Sequence, residues 1–171
     1  ITSLGNGTFA LALGNYYYDQ KTSNLGNRTS IKVMDNQFNT NSELYFESSS
    51  YEKGNGYYSY TGKYLSKIVS LGNGKFATAW SGYASYYDSK TYNSSSAYSL
   101  FVEEFDSSMK VLKKYDIGNF TSSYSNNNYS KWSYGYISDM KLLDNGNLVL
   151  AINESSGSYD YNTKQYNNKN D

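Results

Sequence analysis

The sequence predicts an all-β fold made of tandem four-stranded antiparallel meanders, about two and a half of them in 171 residues. The first observation is a hairpin phrase, an Asn-Gly pair between two apolar runs, which occurs at residues 4–13, 71–80 and 143–152. Asn-Gly readily adopts the positive φ angles of a type I′ turn. The second observation is the spacing of the copies, 67 and then 72 residues, which is typical of repeat architectures.

The spacing divides the chain into three repeats. Residues 1–67 form the first, residues 68–139 the second, and residues 140–171 a partial third with one hairpin and a polar tail. An ungapped offset of 67 aligns Phe38 with Phe105. Because the chain begins within a repeat and without Met, we expect it to be a mature or partial stretch of a longer product.

The first two strands of each unit, A and B, enclose the Asn-Gly turn. Strand A ends at Leu4, and strand B is predicted over residues 8–18, where apolar residues on both faces are typical of a strand covered on two sides. A Tyr-Asp pair follows strand B, and we expect the Asp side chain to accept hydrogen bonds from backbone N–H groups two or three residues on. The functional interpretation is a ligand-binding rim formed by Tyr18, Asp19, Tyr87, Asp88, Tyr159 and Asp160.

The next two strands, C and D, complete the meander. Strand C is predicted over residues 29–38 and 97–105, each ending in a Phe after two polar residues. Strand D is shorter and more charged, which is typical of the edge of a sheet; it is predicted over residues 43–47 and 110–115. Polar stretches lead from strand D into the next strand A, and we expect loops there, at residues 48–61 and 118–131.

The hairpin phrase (apolar-x-x-Leu-x-Asn-Gly-x-apolar-Ala/Val-x-Ala) and the strand C ending (apolar-x-x-Phe-Asp/Asn) resemble blades of bacterial-type extracellular β-propeller repeat proteins. The resemblance covers nearly the whole chain and implies β-propeller-like blades and an extracellular or cell-surface location, although the Trp-Asp ending of WD-type blades is missing. A closed propeller needs at least about four blades. We therefore expect partners to be copies of this chain or further repeats of the same polypeptide.

Composition excludes several classes of function. Fifteen basic and fifteen acidic residues give a formal net charge of zero, which argues against a nucleic-acid partner, and no apolar run is long enough for membrane insertion. Without His or Cys, Ser-His-Asp and Cys-His sites and the usual zinc sites cannot form. We expect no catalytic residues, metal or cofactor. Glu103, Glu104 and Asp106 are the candidate carboxylates for glycoside hydrolysis, but adjacent strand residues point to opposite faces.

Tyrosine and asparagine suggest the remaining functions. The chain has 22 Tyr, and Tyr beside Asn or Asp suits both stacking on sugar rings and wet protein contacts. The sequence therefore predicts a non-enzymatic extracellular structural protein that self-assembles, for example into a filament; the alternative is a carbohydrate-binding module, lectin-like or adhesin, with glycans as partners. Asn-x-Ser/Thr sequons in predicted loops or strand starts are the candidate glycosylation sites: Asn27, Asn93, Asn119 and Asn128.

Overall fold

The computed structural model describes residues 1–19, 24–47, 49–52, 57–125 and 129–170; within these ranges the side chains at 15–19, 24–27, 47, 49–52, 57–58, 60, 125, 129 and 168–170 are not described. The described chain forms twelve strands and no helix. The strands are β1 (Thr2–Gly5), β2 (Thr8–Asp19), β3 (Asn24–Asp35), β4 (Thr40–Glu47), β5 (Ser49–Glu52), β6 (Tyr57–Gly72), β7 (Lys75–Asp88), β8 (Asn93–Phe105), β9 (Val111–Ser125), β10 (Tyr129–Leu142), β11 (Leu148–Asp160) and β12 (Gln165–Asn170).

Two antiparallel sheets contain these strands, which confirms the all-β prediction. The first sheet has the order β1-β2-β3-β4 and coincides with strands A to D of the first predicted repeat. The other eight strands do not form a separate sheet for each repeat. They form one eight-stranded sheet in which β5 to β12 follow each other in sequence order.

The polar stretches predicted as loops are largely strands. The first contains β5 and the start of β6, and the second contains the end of β9 and the start of β10. Ser, Thr and Tyr side chains suit a pleated surface and bond across strands, so these polar segments extend the hairpins beyond the apolar core. For example, the Ser122 hydroxyl donates to the Ser133 carbonyl at 3.1 Å and accepts from its N–H at 3.0 Å.

The type I′ prediction is confirmed for two of the three hairpin turns. Both residues of the Asn-Gly pairs at 6–7 and 73–74 have positive φ angles, between 51° and 74°. In the third copy only Gly146 has a positive φ, 83°. There the Leu143 N–H donates to the Asn147 carbonyl at 2.9 Å, so three residues, and not two, connect the strands. This geometry is a three-residue hairpin loop with Gly in the left-handed position.

The offset of 67 residues holds in the A–B hairpin but is wrong in strand C. Equivalent turns after this strand are closed by Asp35 and Asp106, 71 positions apart, and both contain a residue with positive φ, Phe38 or Met109. The extra residues arise because the β7–β8 hairpin is longer than the β2–β3 hairpin. Phe38 therefore lies in a turn, 72% exposed, whereas Phe105 is buried.

Two hydrophobic cores lie on opposite faces of the sheet region β6–β9. Alternation along β7 serves both, since Phe76 and Trp80 point into one core and Ala77 and Ala79 into the other. The expectation that Trp80 is a core residue is confirmed. The buried residues of the first core, beneath the four-stranded sheet, are Leu4, Ala10, Ile31, Val33, Phe76, Trp80, Phe101 and Phe105. Those of the second core are Ala77, Ala79, Leu100, Val102, Ile137 and Met140.

The second core is covered because the larger sheet curls back on itself. β10 pairs with β9 only at residues 129–131 and then crosses the face of β6, β7 and β8. Gly135 allows β10 to approach β9 closely at the start of this crossing, because any larger residue would place its Cβ atom 2.6 Å from the Phe120 ring. The result is three layers, with β6–β9 between the four-stranded sheet and the β10–β11 hairpin.

Candidate functional site

The aspartates of the predicted rim close hairpin turns. Asp88 Oδ1 accepts from the backbone N–H groups two and three residues on, at 2.9 and 3.4 Å, and its Oδ2 accepts from the Thr91 hydroxyl at 2.7 Å. Asp160 makes the same two backbone bonds at 2.8 and 3.3 Å. These hydrogen bonds lower the pKa of both carboxyl groups. The predicted turn role is confirmed for these two residues; the side chains of Tyr18 and Asp19 lie outside the described residues.

The tyrosines of the two described tips belong to one row across the larger sheet. We call Tyr87, Tyr124, Tyr159 and Tyr166 the tyrosine row, because direct cross-strand pairing places them on one face of β7, β9, β11 and β12. Ser94 and Ser130 occupy the same row in β8 and β10. With strands roughly 4.8 Å apart, the first three tyrosines follow each other at about 10 Å.

A further tyrosine from the β11–β12 turn packs onto this row. The Tyr161 ring lies edge-on to Tyr159 and Tyr124, with ring centroids 4.7 and 6.1 Å apart. Burial, together with Tyr124, raises the pKa of the Tyr161 phenol. Tyr166 is 68% exposed, with its ring 4.3 Å from that of Tyr159. The sequence pattern identified Tyr87 and Tyr159 but missed Tyr124 and Tyr166, because cross-strand register is needed to see them.

A lysine in an aromatic cage joins the two sheets. Lys63 Nζ lies 4.1 Å from the Phe46 ring centroid, 4.2 Å from that of Trp80 and 4.8 Å from that of Phe101. It also forms an ion pair with Glu103 at 2.7 Å. Burial lowers the pKa of Lys63, and Glu103 opposes this effect. Because Phe46 comes from the first sheet and the other partners from the second, the cluster fixes the two sheets against each other.

The three candidate catalytic carboxylates have separate structural partners. Glu103 faces the first core and pairs with Lys63, whereas Glu104 lies on the opposite face and accepts from the Tyr115 hydroxyl at 2.8 Å. The predicted divergence of these adjacent side chains is confirmed. Asp106 closes the turn after β8 by accepting from the backbone N–H groups of Ser108 and Lys110.

The candidate glycosylation sites lie mostly in strands. Asn93 begins β8 and is exposed, as predicted. Asn119 is exposed but lies within β9, so the expectation of a loop there is wrong. Asn27 lies within β3, and its side chain and the whole of Asn128 are outside the described residues.

An open groove of about 510 Å³ lies over the second core. One wall is formed by β8 and β9, including Val102, Tyr115 and Ile117, and the other by Leu148 and Leu150 of β11. Its position between two strand layers distinguishes it from the tyrosine row. We call it the β11 groove.

In the part of the chain that the structure describes, no three His, Cys, Asp or Glu side chains are grouped so as to hold a metal ion. The same residues include no helix with the length and apolar character needed to span a bilayer.

No protein-family model matches the sequence, and comparisons with curated proteins and with solved structures find no match either.

Proposed function

We propose that this is a non-enzymatic extracellular structural protein that assembles by stacking its sheets face to face with those of other copies or of further repeats. The observation that carries the proposal is the middle layer, β6–β9, whose two faces are both covered by neighbouring layers of the same chain. A repeat of this kind buries its apolar residues only against its neighbours. The layers at both ends of the stack therefore need a neighbour of their own.

Repeat equivalence identifies the faces that would meet. When the two Asn-Gly hairpins are aligned by their strand register, Leu13 corresponds to Trp80 at an offset of 67. Trp80 faces the first core and therefore the first layer. In the same alignment Val149 corresponds to Ala77 at an offset of 72. Ala77 faces the second core and therefore the third layer, the β10–β11 hairpin. The outer face of the first layer is thus equivalent to the face of the middle layer that the first sheet covers. The outer face of the third layer is equivalent to the face of the middle layer that the β10–β11 hairpin covers.

Both outer faces expose apolar or aromatic side chains. Leu13 is 38% exposed and Tyr45 is 53% exposed on the first layer; Val149 and Tyr136 are each 49% exposed on the third. Covering a large apolar side chain contributes about 1.5 to 3 kcal/mol. Because the two faces differ, their contact is head to tail, which leads to a ring or a filament. Layers stacked in this way would be β-propeller-like blades, in line with the sequence resemblance.

Sedimentation analysis of matched variants tests the proposal. We expect the wild-type protein to form oligomers whose mass grows with concentration, and Leu13→Asp or Val149→Asp to shift it toward the monomer. Tyr92→Asp is the control, because Tyr92 is 55% exposed in a turn with a positive φ, away from both outer faces. A wild-type protein that stays monomeric at all concentrations, or equal behaviour of the three variants, would contradict the stacking.

The tyrosine row supports carbohydrate binding as a second candidate function. Aromatic rings spaced at about 10 Å on one face can stack on alternate sugar rings of an extended glycan. We expect Tyr124→Ala and Tyr166→Ala to weaken retention on polysaccharide columns, with Tyr92→Ala as the control. Unchanged retention in all three variants, or no retention of the wild-type protein, would exclude this role.

A further inference from the structure

Two rings of the tyrosine row pack against each other across the β11–β12 hairpin. Tyr159 and Tyr166 are directly opposite in the strand register, and their ring centroids lie 4.3 Å apart with 38° between the ring planes. Side chains of directly paired residues rise from the same face of a sheet, so the two phenol groups lie at a similar height above the strands. Backbone pairing therefore holds these two phenols ring against ring.

The adjoining ring of Tyr161 is oriented differently. It stands edge-on to Tyr159, with an angle of 87° between the planes, and edge-on to Tyr124, with an angle of 83°. In an edge-on pair the rim of one ring points at the face of the other, so their rims do not meet. The smaller tilt between Tyr159 and Tyr166 instead brings the carbon atoms beside both hydroxyl groups close together. Tyr161 is 39% exposed, so molecules in solution reach this cluster.

The composition of the chain favours oxidation at tyrosine. There are 22 Tyr and no Cys, so no thiol competes for an oxidant. A phenol that loses one electron and one proton becomes a phenoxyl radical, and two such radicals join through the ring carbons next to their oxygen atoms. Reacting groups that a fold holds in contact behave as if they were highly concentrated. Coupling within the hairpin is therefore favoured over coupling between molecules.

We propose that Tyr159 and Tyr166 are a site of oxidative modification, at which a dityrosine bond joins β11 to β12. The co-reactant is hydrogen peroxide, which a peroxidase uses to remove one electron and one proton from each phenol. The two radicals form a carbon–carbon bond between the rings, and the hydrogen on each bonded carbon moves to the oxygen of its own ring. The protein loses two hydrogen atoms in all, and the peroxide is reduced to two molecules of water.

Such a bond would supply a covalent link between strands in a chain that cannot form a disulfide. Cross-links stabilise a fold mainly by restricting the unfolded chain. The modification goes beyond the proposed stacking, because both rings belong to one molecule and no second copy takes part.

Peptide mapping after oxidation tests the proposal. The monomeric protein is treated with peroxidase and hydrogen peroxide and then digested with trypsin. Lys164 lies between the two tyrosines, so trypsin places them in separate peptides, 142–164 and 165–169. We expect the main dityrosine product to join these two peptides, with a mass lower than their sum by two hydrogen atoms. A main product at another pair of tyrosines, or one formed only between molecules, would overturn the proposal.

Three Tyr→Phe variants identify the reacting ring in the first peptide. We expect Tyr159→Phe to abolish the joined peptides and Tyr161→Phe to retain them. Tyr92→Phe is the control for loss of a phenol elsewhere, because Tyr92 is 55% exposed in the β7–β8 turn. Loss of the product in Tyr161→Phe, or its persistence in Tyr159→Phe, would contradict the assignment of the site.

Two further measurements separate ring contact from chance coupling and from stacking. In urea the yield of the joined peptides should fall at least about tenfold, because the fold no longer holds the rings together. Equal yields from the folded and the unfolded protein would contradict the role of the contact. The stacking variant Val149→Asp is expected to form the bond as the wild type does, so a failure of the stacking leaves this result unchanged.

Discussion

The two cores share one middle layer but are built differently. Toward the first sheet this layer presents large aromatic rings, including Trp80, Phe76 and Phe105, all of which are 0% exposed. Toward β10–β11 its buried side chains are Ala77, Ala79, Leu100 and Val102, which are smaller and aliphatic. The aromatic face is covered by a four-stranded sheet, whereas the aliphatic face is covered mainly by the β10–β11 hairpin and has the β11 groove beside it. The comparison teaches that alternation along single strands can build two cores that differ in side-chain type and in how completely they are covered.

The largest effect is expected from removing the main ring of the first core. Trp80→Ala should destabilise the protein by about 3 to 5 kcal/mol, because it leaves a large cavity in a fully covered core. It also removes the indole hydrogen bond to the Thr78 hydroxyl at 2.6 Å. Met140→Ala in the second core should cost less, about 2 kcal/mol. Urea unfolding measures both, and equal losses would contradict the difference between the cores.

The Lys63 cluster gives the next largest effect. Glu103→Ala should cost about 1 to 3 kcal/mol, because a desolvated ammonium group would lose its partner; fully buried pairs lose more. Removing both charges in the double variant Lys63→Met/Glu103→Gln should be nearly neutral, since Met keeps the contacts with the three rings and no charge is left unpaired, whereas Lys63→Met alone leaves the Glu103 carboxylate without its partner. The unfolding free energies of Glu103→Ala and of the double variant are compared. A double variant as unstable as Glu103→Ala would show that the ion pair itself stabilises the contact between the sheets.

Closure of the second core depends on the approach of β10 to β9. Gly135→Ala should cost about 1 to 3 kcal/mol, because its Cβ would overlap the Phe120 ring. Gly14→Ala is the control, since no atom lies within 4 Å of the Cβ position there. Thermal unfolding is the measurement. A neutral Gly135→Ala variant would indicate that β10 can move away without loss of packing.

The smallest effect concerns the acid stability of the turn at Asp88. Hydrogen bonds from Thr91 and Lys90 lower its pKa below the ordinary value of 3.8. Its contribution is therefore present above pH 3.8 and is lost as the pH falls through the lower, folded-state pKa. Asp88→Asn should lose less stability than the wild type between pH 5 and pH 2, and Thr91→Ala should be intermediate. Identical acid profiles in denaturant titrations at each pH would contradict this origin.

Local patterns predicted much of the fold. Three confirmed predictions depend only on residues that are close together in the sequence. They are the Asn-Gly turns at 6–7 and 73–74, the core position of Trp80 and the turn-closing role of Asp88. The position of Phe38 was wrong, because register in strand C depends on the length of the preceding hairpin. A hairpin that is longer by four residues, two in each strand, carries no compositional signal.

Features that depend on how the sheets meet could not be predicted. The Lys63 cage needs Phe46 from the other sheet, and the tyrosine row needs the register of six strands. Polar strands such as the end of β9 were predicted as loops, because Ser, Asn and Tyr are common in both settings. The β11 groove could not be predicted either, since it is defined by the curl of the larger sheet.

Thiol labelling of two matched variants tests the contrast between the cores most directly. The chain has no Cys, so Val33→Cys and Val102→Cys each introduce a single thiol, at positions that are 1% and 2% exposed. Val33 lies in the closed first core, and Val102 lines the β11 groove. Under native conditions we expect the thiol at position 102 to react at least about tenfold faster than the thiol at position 33. Equal rates, or a faster reaction at position 33, would contradict a closed first core and an open second one.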